Sequence, residues 1–362
     1  MKKKSAVIIA MTAGILLTAA CGHAGRSANQ PATGSENLNG GKLQTSQAAP
    51  GTSDKKDVTI LKLATTLTPD NSMVMAMYEL SDLVRERTDG SVDIQIFPSS
   101  QLGDQMDYIE GMRLNTIEMC IIGISALESY EPKFAIYTLP FVYESQEHVH
   151  NFFESDISQE LLVDFRTKQH IRILAPLDEG FRNVWTKDRP IRTVDDFAGL
   201  TVRVPDVPVY VNLFSALNAN PIPMGWGDTY TALQTGVIHA VENNIEMVLS
   251  SNLQQVLKYN NVTGHTYSLN GLAMSETVFE KLTPAEQVIL LECTEKIARK
   301  RQIEFARTQR ELEASLKDMG IKTVTLPEDE LEKIKLIMQD VIAGRLNELY
   351  DISIIDTIQG MK

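Results

Sequence analysis

The chain has 362 residues, 43% of them hydrophobic and 22% charged, with a formal net charge of −13 at pH 7. This length and apolar content are enough for a large core and favour two domains. The acidic balance argues against nucleic acid or an anionic membrane surface as the main partner, although a few well-placed arginines can still bind a small anion.

Residues 1–20 have the pattern of an export signal. Three lysines at positions 2–4 precede the apolar run "SAVIIAMTAGILLTAA", which is too short to span a bilayer comfortably. The stretch "LLTAAC" also resembles a bacterial lipoprotein signal, in which a diacylglyceryl group is attached to the cysteine, here Cys21. We therefore expect a signal peptide followed by a lipidated Cys21; ordinary cleavage beside an incidental cysteine is the alternative.

Residues 21–56 are predicted to form a flexible linker between this anchor and the folded part. They are rich in Gly, Ser, Asn, Gln, Pro and Ala, and they have no apolar periodicity with which to build a core. A flexible chain of about 35 residues has an end-to-end distance of roughly 30–35 Å. A folded module on such a linker can collect a molecule and deliver it to the membrane.

From residue 58 onward, strand and helix patterns alternate. The first run reads as strand "VTILKLATTL", helix "MAMYELSDLVRERTDG", strand "SVDIQIFP", helix "QMDYIEGMRLNT" and buried strand "IEMCIIGI". The second reads as strand "IRILAPL", short helix "TVDDFAG", strand "LTVRVPD", helix "VPVYVNLFSALNA" and strand "GVIHAVE". The alternation predicts an α/β fold with substantial parallel sheet, and two successive runs predict two lobes with a ligand cleft between them.

The C-terminal third is predicted to contain one long helix. Thr283, Pro284 and Glu286 form an N-cap, a proline at the first helical position and a capping-box glutamate. No further Pro or Gly occurs before Gly320, so a continuous helix of about 35 residues would be roughly 50 Å long. We expect a spine that crosses both lobes; a coiled-coil dimer is the alternative, but the apolar heptad positions are too few.

Residues typical of catalytic or metal sites are sparse. Cys120 and Cys293 lie in apolar segments without paired spacing and are expected to be buried free thiols, although export would permit a disulfide. His148 and His150 form an HxH pair, but no motif supplies a third metal ligand, so a role on a helix surface is favoured. No GxSxG, HExxH, Walker A or GxGxxG motif is present. We expect no enzyme, no cofactor and no metal.

Two arginines of the second run are candidates for binding an anion. Arg182 follows a strand in "LDEGFRNVW", and Arg203 stands between Val202 and Val204, so it faces away from those two core valines. A guanidinium is a planar fork that matches a carboxylate bidentately. The alternative for both is a solvated or salt-bridged arginine.

Four stretches together are similar to one known family. "FPSSQLGDQ", "TLPFVYES", "GLTVRVPDVPVYVNLFSALNANPIPMGWGDTYTALQTGVIHAVEN" and "LTPAEQVILLE" resemble the DctP-type solute-binding proteins of TRAP transporters, the tripartite ATP-independent periplasmic transporters. The resemblance extends, in order, over residues 58–350. It implies two α/β lobes that close on a ligand, with a long helix behind both: lobe I from 57–179 plus 269–308, and lobe II from 180–268 plus 309–362.

The resemblance also implies a function and a set of contacts. Family members capture organic anions outside the cytoplasm and pass them to a two-subunit membrane permease driven by an ion gradient. The principal carboxylate-clamping arginine matches Arg203, a second ligand-contacting arginine matches Arg182, the ligand-facing asparagine matches Asn243, and the aromatic of the pocket matches Trp226. Further candidate contacts are Thr66, Gly123 and Ser125 of the first lobe, together with Asn244 and Asp206.

The branch of the family is indicated by fewer residues. The "ENN" run ending at Asn244 resembles members that bind hexuronates and related acids, and the indole of Trp226 offers a broad face for a sugar ring; a core tryptophan is the alternative. His239 and Ala240 stand where the family usually has Asp-Gly. We expect a carboxylated sugar as ligand; a C4-dicarboxylate, or a ligand sensor acting on a receptor kinase, is the alternative.

Overall fold

The computed structural model describes residues 58–351 and 353–362. The predicted signal peptide, the lipidation site Cys21 and the predicted linker lie outside these residues. Within them, no helix has both the length and the apolar composition needed to cross a bilayer.

The described strands form one continuous mixed sheet in the order β2-β1-β3-β8-β4-β7-β5-β6, with β9 beside β8. Two long strands, β4 and β8, pair antiparallel at its centre, and a parallel group lies on each side: β1 with β2 and β3, and β5 with β6 and β7. The strands are β1 Thr59–Ala64, β2 Val92–Phe97, β3 Met119–Gly123, β4 Ile171–Thr186, β5 Thr201–Val204, β6 Asn220–Pro223, β7 Ala240–Asn243, β8 Tyr259–Ser275 and β9 Lys322–Thr325.

The strand register creates a gap in the middle of this sheet. Strand β3 pairs with β8 from Met274 to Asn270, whereas β7 pairs with β4 only at residues 183–186. The carboxyl ends of β3 and β7 therefore point toward each other along the β4–β8 ribbon, and residues 178–182 and 266–269 bridge the gap. Ligands commonly bind at the carboxyl ends of parallel strands. The predicted lobe boundaries at 179/180 and 268/269 fall inside this gap and remain a prediction.

Helices cover the two faces of the sheet. They are α1 Ser72–Arg87, α2 Gln105–Arg113, α3 Gln146–Glu154, α4 Asp156–Gln169, α5 Pro208–Ala216, α6 Thr229–Thr235, α7 Ile245–Ser250, α8 Glu276–Phe279, α9 Pro284–Ser315, α10 Glu328–Leu349 and α11 Ser353–Gln359. Helices α1, α2, α5 and α9 coincide with predicted helices. Helix α3 was anticipated only as the helix that carries His148 and His150, and α4, α7, α8, α10 and α11 were not predicted from the sequence pattern.

The predicted long helix is present as α9, with 32 residues. Its capping box forms as expected, because the Thr283 side chain accepts from the Glu286 amide and the Glu286 carboxylate accepts from the Thr283 amide. It packs against α1, β4 and α7, so it joins elements from both sides of the gap. The helix ends at Ser315 rather than near Gly320, because the chain makes turns there before it enters β9.

The buried side chains form two hydrophobic clusters, one on each face of the sheet. Successive residues of one strand alternate between them: Cys120 and Ile122 belong to one cluster, and Met119 and Ile121 to the other. Cys120 and Cys293 are both buried and unpaired, which confirms the expected free thiols. Because they belong to different clusters, no disulfide joins them.

Candidate ligand-binding site

One pocket lies at the gap between the two parallel strand groups. The space between its walls is about 540 Å³, including its open mouth. Its floor is the β4–β8 ribbon, and its walls are the end of β5 together with the chain segments that follow the six strands β1, β2, β3, β5, β6 and β7. Of the predicted ligand contacts, it brings together Thr66, Gly123, Ser125, Arg182, Arg203, Trp226 and Asn243.

The two arginines of the pocket have different environments. Arg182 is buried and its fork is occupied by Glu242: Nε donates to Oε2 at 2.6 Å and Nη2 to Oε1 at 2.7 Å. Nη1 contacts Ser268 Oγ at 3.3 Å, and the guanidinium lies 5.0 Å from the ring centre of Tyr210. The charge of Arg182 is thus already balanced within the protein.

Glu242, in β7, is fully buried with this guanidinium. Burial alone would raise its pKa, but the charge of Arg182 outweighs that effect and lowers it. His265 Nε2 lies 3.3 Å from the same carboxylate, and burial lowers the pKa of that imidazole. The carboxylate therefore stays ionised and the imidazole neutral. Arg182 and Glu242 form a fixed ion pair, and the neutral ring of His265 is an additional hydrogen-bonding neighbour of Glu242.

Arg203 is the guanidinium that remains available. Its Nε and Nη2 donate to the Met224 carbonyl at 3.0 and 2.6 Å, while Nη1 has no hydrogen-bond partner in the described part of the chain. It is only 4% exposed, and no described carboxylate lies within ion-pair distance of it, although the charges of Glu242 and Asp104 favour its charged form from farther away. Burial lowers the pKa of Arg203 to about 10, so the group is still a cation at neutral pH. A buried cation without a counterion in direct contact is the clearest anion-binding feature of the pocket.

The Trp226 ring packs against the guanidinium of Arg203. The ring centre is 5.1 Å from the Arg203 carbon Cζ, a cation–π distance, and the indole Nε1 donates to Ser251 Oγ at 2.9 Å. The side chain also belongs to one of the two hydrophobic clusters. Trp226 is therefore both a core residue, which was the alternative in the sequence analysis, and part of the pocket lining.

Asn243 points a hydrogen-bond donor into the pocket. Its side-chain oxygen accepts from the Asn244 amide at 2.9 Å and from Asn244 Nδ2 at 3.1 Å. The Nδ2 group of Asn243 has no partner among the described residues, and it is left to face the cavity. Asn244 does not line the pocket: it is fully buried, caps α7 by accepting from the Met247 amide, and orients Asn243.

The remaining candidates lie elsewhere. Asp206 borders a neighbouring surface depression and not this pocket. His239 is hydrogen-bonded to Thr201 Oγ1 at 2.8 Å, away from the cleft. His148 and His150 lie on helix α3, but both are buried, so the expected role on a helix surface is wrong. His148 contacts the Ile358 carbonyl and His150 the carboxylate of Asp178, so the two rings have separate partners. Within residues 58–351 and 353–362, no group of three or more metal-ligating side chains is assembled.

Several polar residues of the pocket were missed by the sequence analysis. Gln105 accepts from the Gly123 amide at 2.8 Å. Ser268 and Asn270, two positions apart in β8, both face the pocket. Glu179 is a buried carboxylate on β4. The sequence "DEG" at residues 178–180 could have predicted Glu179, because two carboxylates and a glycine inside an apolar strand do not serve core packing.

A further contact joins opposite walls of the pocket. Asp104, the N-cap of α2, accepts from the Trp226 amide at 3.0 Å through Oδ2, while its Oδ1 accepts from the Gln105 amide. The approach is possible because residue 225 is glycine: a Cβ there would lie 2.2 Å from that same Oδ2. Asp104 thereby connects the segment after β2 to the segment after β6.

A family model agrees with this arrangement. The model of bacterial extracellular solute-binding protein family 7, DctP, matches residues 63–348. The chain belongs to the DctP family. This membership confirms the predicted resemblance and an extracytoplasmic location, and it identifies the pocket as part of a solute-binding fold.

Three relatives illustrate what this DctP-family protein is similar to. A solute-binding protein of Roseobacter denitrificans is 34% identical over 227 residues, which cover 63% of this chain and 69% of that protein. A TRAP periplasmic solute-binding protein of Haemophilus influenzae with bound L-gulonate has a TM-score of 0.79 at 25% identity, covering 84% of this chain and 100% of that one. One from a Bradyrhizobium species with D-galacturonate has a TM-score of 0.77 at 25% identity, covering 83% and 99%.

The contact between Asp104 and Trp226 in this DctP-family protein gives a stability prediction. Gly225→Ala should displace the Asp104 carboxylate and lower the free energy of unfolding by about 1.5–3 kcal/mol, the value of a hydrogen bond to a charged group. Gly227→Ala is the matched control, because a Cβ at that residue would lie 3.8 Å from its nearest neighbour atom, Ser100 Oγ. Urea unfolding measures both variants; equal stability of the two would contradict the role of the contact.

Proposed function

We propose that this DctP-family protein captures a six-carbon sugar acid, an aldonate or a hexuronate, by pairing its carboxylate with Arg203. The observation that carries the proposal is the buried guanidinium of Arg203, which no described carboxylate contacts directly. An isolated buried charge is destabilising by several kcal/mol, and a ligand carboxylate would remove that penalty on binding. The relatives with bound L-gulonate and D-galacturonate support a ligand with one carboxylate and several hydroxyls.

The other contacts divide between polar and apolar parts of such a ligand. Asn243 and Gln105 each have one face of a side-chain amide directed toward the cavity, and each offers a donor to a ligand oxygen. Trp226, beside Arg203, provides an apolar surface for the carbon skeleton. The side of the Arg182 guanidinium that does not contact Glu242 faces the cavity, and the ion pair holds the guanidinium in position. Thr66, Gly123 and Ser125 line the opposite side of the pocket.

Binding alone is sufficient for this function, and no bond has to be made or broken. Contacts from both walls favour a closed state over an open one, and a difference in ligand affinity between two states is all that closure requires. We propose that the closed form delivers its ligand to the membrane permease of a TRAP transporter. The support is family membership and the TRAP relatives of similar fold.

The membrane anchor belongs to the same proposal. A lipidated Cys21 would hold the folded part near its permease, and the linker of residues 21–56 would let it reach ligand at a distance from the bilayer. The support is the "LLTAAC" sequence that precedes the linker.

Removal of the guanidinium gives the first test. Arg203→Gln should weaken binding of L-galactonate, L-gulonate or D-galacturonate by about 2–5 kcal/mol, or tens to thousands of fold, as expected for one partner of a buried charge pair. Arg189→Gln, at a surface arginine paired with Asp196, is the control and should bind as the wild type does. Calorimetric titration supplies the affinities. Unchanged binding by the Arg203 variant would exclude it from the site.

A second test concerns the anchor. Cys21→Ser should abolish lipid attachment, so the full-length protein should move from the membrane fraction to the soluble extracytoplasmic fraction of bacterial cells. Mass spectrometry of the mature wild-type N-terminus should show a diacylglyceryl-cysteine. A mature chain that starts at another residue without lipid would overturn this part of the proposal and leave the ligand site untouched.

A further inference from the structure

Glu179 is a carboxylate inside an anion-binding pocket, and its position is built by the fold. The register of β4 against β8 shifts between Asp178 and Gly180, so Glu179 is the extra residue of a β-bulge. In a regular strand, residues three apart face opposite sides, but the bulge turns Glu179 to the same side as Arg182. Gly180 has φ +92°, a conformation that favours glycine.

The same glycine also seats this bulge against the long helix. A Cβ at residue 180 would lie 2.9 Å from the ring carbon Cζ of Phe305 in α9. Both the backbone conformation and the close packing therefore depend on glycine at this position. The orientation of Glu179 is thus fixed by the strand register and by helix packing.

One oxygen of Glu179 is occupied and the other is available. Ser268 Oγ donates to Oε2 at 2.5 Å, and Arg182 Nη1 is 3.7 Å from the same oxygen, which is beyond hydrogen-bond distance. Oε1 has no hydrogen-bond partner in the part of the chain that the structure describes. Glu179 is 8% exposed and lines the cavity, so this acceptor is directed toward a ligand.

The neighbouring polar atoms complete a pattern of donors and acceptors. Arg203 Nη1, Asn243 Nδ2 and Gln105 Nε2 are donors suited to a carboxylate or to hydroxyl oxygens. Glu179 Oε1 is a carboxylate oxygen, and such a group accepts hydroxyl hydrogens and disfavours a second carboxylate beside it. Arg182 is hydrogen-bonded to Glu242 and lies 3.7 Å from Glu179 Oε2, so the pocket has one cation outside any ion pair, Arg203, and one carboxylate oxygen without a partner among the described residues, Glu179 Oε1.

We infer that Glu179 determines specificity: it accepts a hydrogen bond from a hydroxyl at the end of the ligand away from Arg203, and it excludes ligands that carry a carboxylate at both ends. The inference rests on the proposed function, since it assigns the second half of the same site. It separates the two ligand classes suggested by the sequence, because a C4-dicarboxylate or an aldarate would bring its second charge against Glu179.

A matched series of ligands tests this inference. L-Galactonate and galactarate have the same carbon skeleton and hydroxyl stereochemistry, and they differ only in a terminal CH₂OH or carboxylate; L-gulonate and D-glucarate are a second such pair. The wild type should bind the aldonate of its preferred pair at least tenfold more tightly than the aldarate. In Glu179→Gln, which has the same shape without the charge, this ratio should fall at least tenfold.

The control is Glu246→Gln, the same change at an equally buried glutamate that does not line the pocket; its ratio should match that of the wild type. An unchanged ratio in Glu179→Gln, with the aldonate still bound by the wild type, would overturn the inference alone. If the variant does not fold, the wild type still decides, because galactarate bound as tightly as L-galactonate would overturn it. Failure of the wild type to bind any sugar acid would instead overturn the proposed function.

Discussion

The buried ion pair between Arg182 and Glu242 is the interaction on which the binding site depends. Glu242 accepts three hydrogen bonds from this guanidinium, two through its carboxylate and one through its backbone carbonyl, and it neutralises the charge deep inside the sheet. Breaking such a pair by removing one partner costs about 3–5 kcal/mol, since the remaining charge stays buried. Arg203 is thereby left as the open cation of the pocket. The polarity of the cleft, with its cation on the β5 side and Glu179 on the floor, follows from this division.

Backbone geometry brings these groups together. Strands β4 and β8 are long enough to extend through both halves of the sheet, and the two parallel groups point their carboxyl ends at the gap between them. The bulge at Glu179 and the glycine at Gly180 rotate one carboxylate into that gap, while Gly225 lets Asp104 approach the Trp226 amide. A regular strand would have kept the Glu179 carboxylate outside the pocket, and a larger residue at position 225 would block the contact between Asp104 and the Trp226 amide.

Most of the fold could be predicted from the sequence, because its signals are local. Apolar strand patterns located β1, β2 and β5, a continuous apolar run located the buried strand β3, and the capping box at Thr283 located the start of α9. Strand β4 extends well past the predicted "IRILAPL", because Pro176 and Gly180 resemble turn residues but are absorbed by the strand and its bulges. Strand β8 lacks alternation because nearly all of it is buried on both faces, so no polar periodicity marks it.

The site was predictable only in part, and the reason is physical. Arg203 was a candidate from its position between two core valines, Asn243 and Trp226 were identified through a family resemblance, and all three line one pocket. Sequence could not show that Arg182 is paired with Glu242, since the two residues are 60 positions apart and meet only through strand pairing. The sequence also could not distinguish the roles of the adjacent residues Asn243 and Asn244. Asn244 orients Asn243, and only Asn243 faces the cavity.

The central claim is that Arg203 binds the single carboxylate of a sugar acid while Glu179 meets its hydroxyl end. A crystal structure with L-galactonate or D-galacturonate tests this most directly. We predict the ligand carboxylate within hydrogen-bond distance of Arg203 Nη1, a ligand hydroxyl on Glu179 Oε1, and the Arg182–Glu242 pair unchanged. A ligand carboxylate that instead pairs with Arg182 after displacing Glu242, with Arg203 still directed only at the Met224 carbonyl, would contradict the account.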